Sequence, residues 1–314
     1  MNNPRISVVI PTYNRAGYIE IALDSVFNQT YQDFEIIICD DSSNDNTLEV
    51  INSIKAKSKL PIHVEVLPKN LGVSAARNKA IFLAKGELIA FLDSDDSWKS
   101  EKLEKQVDFL DKNSDFIGVG CSFNIYDGYE ILEPEKPPLV LEKHNELYQL
   151  LYQCYITTSC FLVRKESLIL AGLFDLKLKQ GQDRDLWWRL PRLGRIGFIN
   201  EALVKYRVHK ASISKMMSSS TGKTYVPTIQ KIVWYWKDSL SSEEQRQIIS
   251  NAHLLVSLDA FESNKYSLCI KHALKSIFYR SHLSQATKLI IISLLNITGT
   301  KKISKIFTNF FVKS

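Results

Sequence analysis

What this chain lacks narrows it quickly. Its five cysteines (Cys39, Cys121, Cys154, Cys160 and Cys269) form no CxxC pair and no even ladder of spacings. They read as buried reduced thiols, which argues against a disulfide framework or a cysteine zinc site. No apolar run reaches the ~18 residues that suggest a membrane-spanning helix. The opening MNNPRISVVIPTYN is without the charged-then-apolar layout of a signal peptide, so a cytoplasmic location is expected. No GxGxxG follows the first apolar run, and GxxxxGKS or GxxxxGKT occurs nowhere. Dinucleotide and P-loop readings therefore lack the glycine loops their phosphates require. Acid is missing from one end: residues 264–314 hold nine Lys or Arg and no Asp or Glu, which against a total of +6 leaves −3 for residues 1–263. Such segregation points to an acidic surface or partner for the C-terminal end. No nucleic-acid recognition motif accompanies it.

What is present alternates. ISVVI (6–10), EIIIC (35–39), HVEVL (63–67) and LIAFL (88–92) are short β-branched runs, most of them apolar throughout, as suits strands covered on both faces. Between them, Ile19, Ala22, Leu23, Val26 and Phe27 make one helical stripe, and helices are expected over 46–54, 73–84 and 100–110. Strand–helix alternation predicts an α/β fold with a doubly wound, mostly parallel sheet, whose ligands bind beyond the C-terminal strand ends. The polar clusters fall there: PTYNR, DDSSND, PKNLG and DSDD, one after each strand. Farther on, IGVGCSFNIY and SCFLVRK read as strands separated by a loop containing EPEKPP that is positioned to cover the site, and GFINEALVKYRVH reads as a strand pair. The turn-like MMSSSTGKTYVP divides residues 1–215 from a mainly helical, basic region, 216–314. Within that region TKLIIISLLNI (287–297) reads as either a core helix or an interfacial one.

The acidic cluster Asp93, Ser94, Asp95, Asp96 asks for a positive partner. Asp93 and Asp95 can both turn toward a hard cation, and Mg²⁺ or Mn²⁺ shared with substrate phosphates suits such oxygen ligands. The plain alternative is a turn in which Asp95 or Asp96 caps the next helix. Asp41 has the same two readings, a nucleobase N–H acceptor or a cap. Arg77 reads as a nucleotide contact or as a solvated helix residue.

These stretches carry a resemblance. ISVVIPTYNRAGYIEIALDSVFNQTYQDFEIIICDDSSNDNTLEVI, NLGVSAARNKAI and GELIAFLDSDD together resemble the nucleotide-binding half of glycosyltransferase family 2. AGLFDLKLKQGQDRDLWWRL resembles that family's acceptor-side block, with Gln182 where Glu is usual, and YRVHKASIS its later strand. The resemblance implies the GT-A fold and inverting transfer from a nucleotide-sugar donor, most simply a UDP-sugar. The acceptor would be a glycan or a lipid-diphosphate-linked sugar in surface polysaccharide assembly. It implies Asp183 as the catalytic base, with Asp185 as a second candidate. Pro11, Thr12, Tyr13, Asp41, Asn70, Arg77, Asp93 and Ser94 would bind the donor, and Asp95 and His209 would hold Mn²⁺ or Mg²⁺. One of Trp187 and Trp188 is expected to stack on an acceptor sugar, the other to lie in the core. The alternatives are a nucleotidyltransferase or a catalytically silent sugar-nucleotide-binding subunit. The basic end is expected either to touch an anionic membrane peripherally or to form a bundle with a solvated basic face.

Overall fold

The computed structural model describes residues 3–134, 146–153, 156–179, 181–208, 221–279 and 283–297. The chain divides into two compact units, Met1–Val140 with Cys154–His209, and Leu141–Gln153 with Lys210–Ser314. The division thus falls a few residues before 215, and a short segment from inside the first region joins the second unit.

The first unit opens with β1 (Ile6–Thr12), α1 (Ile19–Phe27), β2 (Phe34–Asp40), α2 (Thr47–Lys57), β3 (Ile62–Val66), α3 (Val73–Leu83) and β4 (Leu88–Phe91). This is the alternation the sequence predicts. β5 (Ser97–Trp98), α4 (Lys102–Lys112), β6 (Phe116–Tyr126), β7 (Ile131–Pro134), β8 (Leu162–Arg164), α6 (Lys165–Leu170), α7 (Gln182–Arg189) and β9 (Arg195–Arg207) complete it, α5 (Glu146–Gln153) belonging to the second unit. Among the described residues the sheet has nine strands in the order β3-β2-β1-β4-β8-β6-β9-β5, with β7 beside β6. β1 is parallel to both β2 and β4, and β2 to β3. β8 is antiparallel to β4 and β6, and β9 runs parallel to β6.

Every residue of β1 and β2 is buried, which is why those runs are apolar on both faces rather than alternating. Ile19, Ala22, Leu23 and Val26 of α1 pack into the same core. Gly86 lets the turn into β4 lie against β1: a Cβ there would meet the Ser7 amide nitrogen at 2.5 Å.

One expectation is corrected. Residues 197–207 of GFINEALVKYRVH are not a strand pair but part of one continuous strand, β9. Its pairing with β6 jumps from Cys121–Ile199 to Ser122–Ala202, so Asn200 and Glu201 bulge where a turn was expected. Most of the EPEKPP loop lies outside the described residues; Ile131–Pro134 forms a hairpin arm on β6.

The second unit holds α5, α8 (Thr221–Tyr235), α9 (Ser242–Glu262), α10 (Tyr266–Phe278) and α11 (Leu283–Ile297). The TGKTYVP half of the expected turn is already helix α8. Leu254, Ala260, Cys269, Ala273, Ala286 and Leu289 make its core. Bonds from Tyr148 Oη to Gln247 (2.7 Å) and from Asn251 to the Tyr152 carbonyl (2.7 Å) fasten α5 to α9. No helix among the described residues is long and apolar enough to cross a membrane.

Candidate active site

At the C-terminal edge of the parallel strands four loops are knitted together by side chains. The Asp41 carboxylate accepts backbone N–H bonds from Leu71 (2.7 Å) and Gly72 (2.8 Å). Gly72 has φ 91°, a conformation that favours glycine, and precedes α3. Asp41 therefore holds the loop ahead of α3, not the helix that follows its own strand. Asn14 joins the first loop to the second, its Oδ1 accepting from Asn44 N–H (2.7 Å) and its N–H donating to Ser43 Oγ (2.9 Å). Pro11 and Thr12 are buried at the end of β1, Thr12 Oγ1 lacking a hydrogen-bond partner among the described residues. Tyr13 and Asn70 are exposed at the rim, and Ser94 is buried.

The acidic cluster has its positive partners within the protein. Arg77, only 4% exposed, donates from Nη2 to Asp93 Oδ1 at 2.6 Å and lies 5.2 Å from the Phe174 ring centre. The solvated reading of Arg77 is thereby excluded; its Nε and Nη1 have no hydrogen-bond partner among the described residues. Arg15 Nε stands 3.5 Å from Asp95 Oδ2. Burial raises the Asp93 pKa, Arg77 opposes the rise, and the charges of Asp95 and Asp183 add to it. Asp183 is thus close enough to be felt at Asp93, although 90 residues separate them in sequence.

Asp96 is bound differently. It is buried, accepts the Ser159 hydroxyl at 2.5 Å and the Arg207 N–H at 2.9 Å, and caps no helix. Burial, then the neighbouring Asp95 and Asp93, push its pKa well above the usual carboxylate range. Ser159 also accepts the Asp93 N–H (3.0 Å), and its carbonyl receives Trp98 Nε1 (2.9 Å). Arg207 Nε donates to the Asp95 carbonyl (3.1 Å), while its guanidinium lies over the Tyr126 ring and bonds the Tyr126 hydroxyl. Ser159 and Arg207 therefore clamp the four-residue loop from both sides. Sequence reading missed both, because nothing local marks a serine 63 residues away as a partner.

Asp183 sits in the first turn of α7 and accepts the Arg184 N–H (2.8 Å). Asp185 is buried and paired with Arg189 at 2.9 Å; Arg189 also donates to the Leu173 carbonyl (2.7 Å), so this carboxylate serves packing. The acceptor-stacking expectation for the tryptophans is corrected: Trp187 and Trp188 are both 0% exposed. Trp187 is enclosed by Phe91, Phe161 and Phe174 at centroid distances of 5.6, 4.6 and 5.7 Å. A ring with no exposed face offers none to a sugar. His209 lies outside the described residues.

Among the described residues no group of three or more His, Cys, Asp or Glu is assembled around one point. The donors present, carboxylate oxygens with Asp95 partly exposed, suit a hard cation held by one or two carboxylates together with substrate phosphates.

Comparison with known proteins fits this geometry. A sequence model described as glycosyl transferase family 2 matches residues 7–170. A putative teichuronic acid biosynthesis glycosyltransferase, TuaG of Bacillus subtilis, is 34% identical over 226 residues, covering 71% of this chain and 86% of its own. An uncharacterized glycosyltransferase of Rickettsia typhi is 30% identical, covering 84% and 82%. Among solved structures, S. aureus TarS 1-349 superposes with a TM-score of 0.65 at 20% identity over 93% of this chain and 86% of that one. The mannosyltransferase PcManGT of Pyrobaculum calidifontis, in complex with GDP-Man and Mn²⁺, gives 0.63 at 18% identity over 100% and 89%. TarS has also been solved with UDP-GlcNAc. The fold is that of the GT-A glycosyltransferases. The chain belongs to glycosyltransferase family 2, and it is a glycosyltransferase.

Proposed function

We propose that this enzyme transfers a sugar, with inversion, from a UDP-sugar to a hydroxyl of a glycan or lipid-diphosphate-linked acceptor in cell-surface polysaccharide assembly. The observation that carries the reading is that the charge of Asp183 reaches Asp93, the arginine-paired carboxylate two residues from Asp95. In this reading Asp183 serves the acceptor, and Asp93 and Asp95 serve the donor. UDP-GlcNAc in TarS and the teichuronic acid role named for TuaG support the donor and acceptor classes.

In the mechanism, the Asp183 carboxylate takes the proton of the acceptor hydroxyl as the hydroxyl oxygen attacks C1 of the sugar. The new C1–O bond forms as the bond from C1 to the diphosphate breaks, and the nucleoside diphosphate leaves with the electron pair. A single displacement inverts the anomeric centre. Tyr13 and Asn70 at the exposed rim, and Asp93 toward the ribose, would contact the nucleotide, with the buried Pro11, Thr12, Asp41, Arg77 and Ser94 shaping the loops that receive it. Asp95 and His209 would hold Mn²⁺ or Mg²⁺, which when bound offsets the charge of the departing diphosphate. A lipid-linked acceptor would put the reaction at the cytoplasmic face of a membrane.

Asp183→Asn tests the base. It keeps the shape and removes the proton acceptor, so turnover should fall by roughly 10²–10⁴ while calorimetric donor affinity stays put. Equal loss of donor affinity would move Asp183 to the donor site. A wild type that binds UDP-sugars but never releases UDP would mean a silent binding subunit.

A further inference from the structure

We infer that the outer face of α10 docks on an anionic lipid bilayer, inserting Leu274 and Phe278 while Lys271 and Lys275 meet the headgroups. This contact is independent of the transfer reaction, since all four side chains belong to the second unit. α10 buries Cys269, His272, Ala273 and Ser276 against its own unit. On the opposite side Lys271, Leu274, Lys275 and Phe278 succeed one another at helical spacings of three, one and three residues, all exposed. Leu274 is 55% exposed and Phe278 80%, and the two lie one turn apart, so their apolar surfaces adjoin on a helix whose inner face is closed.

The chemistry selects the occupant. From residue 264 to the end the chain holds nine basic residues and no acidic one, so this part of the sequence supplies no carboxylate for Lys271 and Lys275. A second copy seated here about a two-fold axis would set these lysines against their own counterparts, because such an interface joins like patches. An anionic bilayer meets both demands at once. Its acyl region takes the phenyl and leucyl side chains, and its phosphates take the ammonium groups at the end of stems that themselves lie along apolar surface. The next helix adds to the apolar character of the unit's surface: Ile291 and Leu294 of α11 are 43% and 49% exposed.

The experiment is co-sedimentation of the full chain with phosphatidylglycerol vesicles and with phosphatidylcholine vesicles. The wild type should prefer the anionic vesicles and lose most of its binding between about 0.1 and 0.5 M salt, as the screening length shortens. Leu274→Ser with Phe278→Ser, and separately Lys271→Glu with Lys275→Glu, should each lower the partition coefficient by about tenfold or more. All four side chains are exposed, so circular dichroism should show the variants folded, and UDP-sugar binding by the same samples reports the donor site separately. Absence of any anionic preference in the wild type overturns the inference. So does full binding by both double variants with loss only on Lys301→Glu, Lys302→Glu and Lys305→Glu, which would put the contact in the tail. A dimer in sedimentation velocity that the Ser variants split would overturn it in favour of self-association.

Discussion

Asp96 shows how one side chain fixes a site that it does not enter. Both oxygens are used, one by Ser159 and one by the Arg207 amide, and both of these donors are neutral groups. Its raised pKa has a definite consequence. The folded state keeps the proton to higher pH than the unfolded chain, so stability falls as pH rises from the ordinary carboxylate value through the elevated one. Asp96→Asn should remove that fall, and its melting temperature should gain on the wild type toward neutral pH. Asp96→Ala instead strands two buried donors, at a cost of about 1–3 kcal/mol each. Thermal melts of the three proteins from pH 4 to 8 check this; parallel curves for wild type and Asn would show that Asp96 is ionised throughout.

At the scale of elements, the pairing of α9 with α10 sets buried polar contacts beside its apolar core. Ser250 bonds the Ser276 carbonyl (3.0 Å), His253 and His272 face each other Nδ1 to Nδ1 at 2.9 Å, and Ser257 bonds the Cys269 carbonyl (3.0 Å). Burial first, then His272 and Lys275, lower the His253 pKa to about 4; burial, Lys275 and Lys271 lower that of His272. One imidazole donates and the other accepts only while at least one ring is neutral. The unfolded chain takes protons near pH 6.5, so the helical unit should be fully stable above that pH and weaken as pH falls toward about 4. The double variant His253→Gln, His272→Gln should show a flatter profile in helical circular dichroism between pH 7.5 and 4.5. An equally steep wild type and variant would place the acid sensitivity elsewhere.

For the whole molecule, two units with separate cores mean that a single unfolding free energy is not a defined quantity. Every described residue proposed here for donor or base falls in the first unit. A UDP-sugar with Mn²⁺ should therefore raise the calorimetric transition of that unit, by about 2.7 kcal/mol at a hundredfold excess over Kd, and leave the helical unit's transition in place. EDTA should erase most of the gain. A gain untouched by EDTA would remove the metal from donor binding.

The alternation of apolar runs and helical stripes was enough to place β1 to β4 and α1 to α3. It also set the four polar loops at the correct edge, since burial on both faces and local periodicity are written residue by residue. The same holds for the four described cysteines, all buried thiols. What the sequence left open was decided by contacts between distant segments. Asp41 turned out to grip the loop before α3, Arg77 to be buried on Asp93, Asp96 to bond Ser159 and Arg207, and both tryptophans to be enclosed. In each case the local residue type admits two environments, and packing against a segment at least 13 residues away removes one of them.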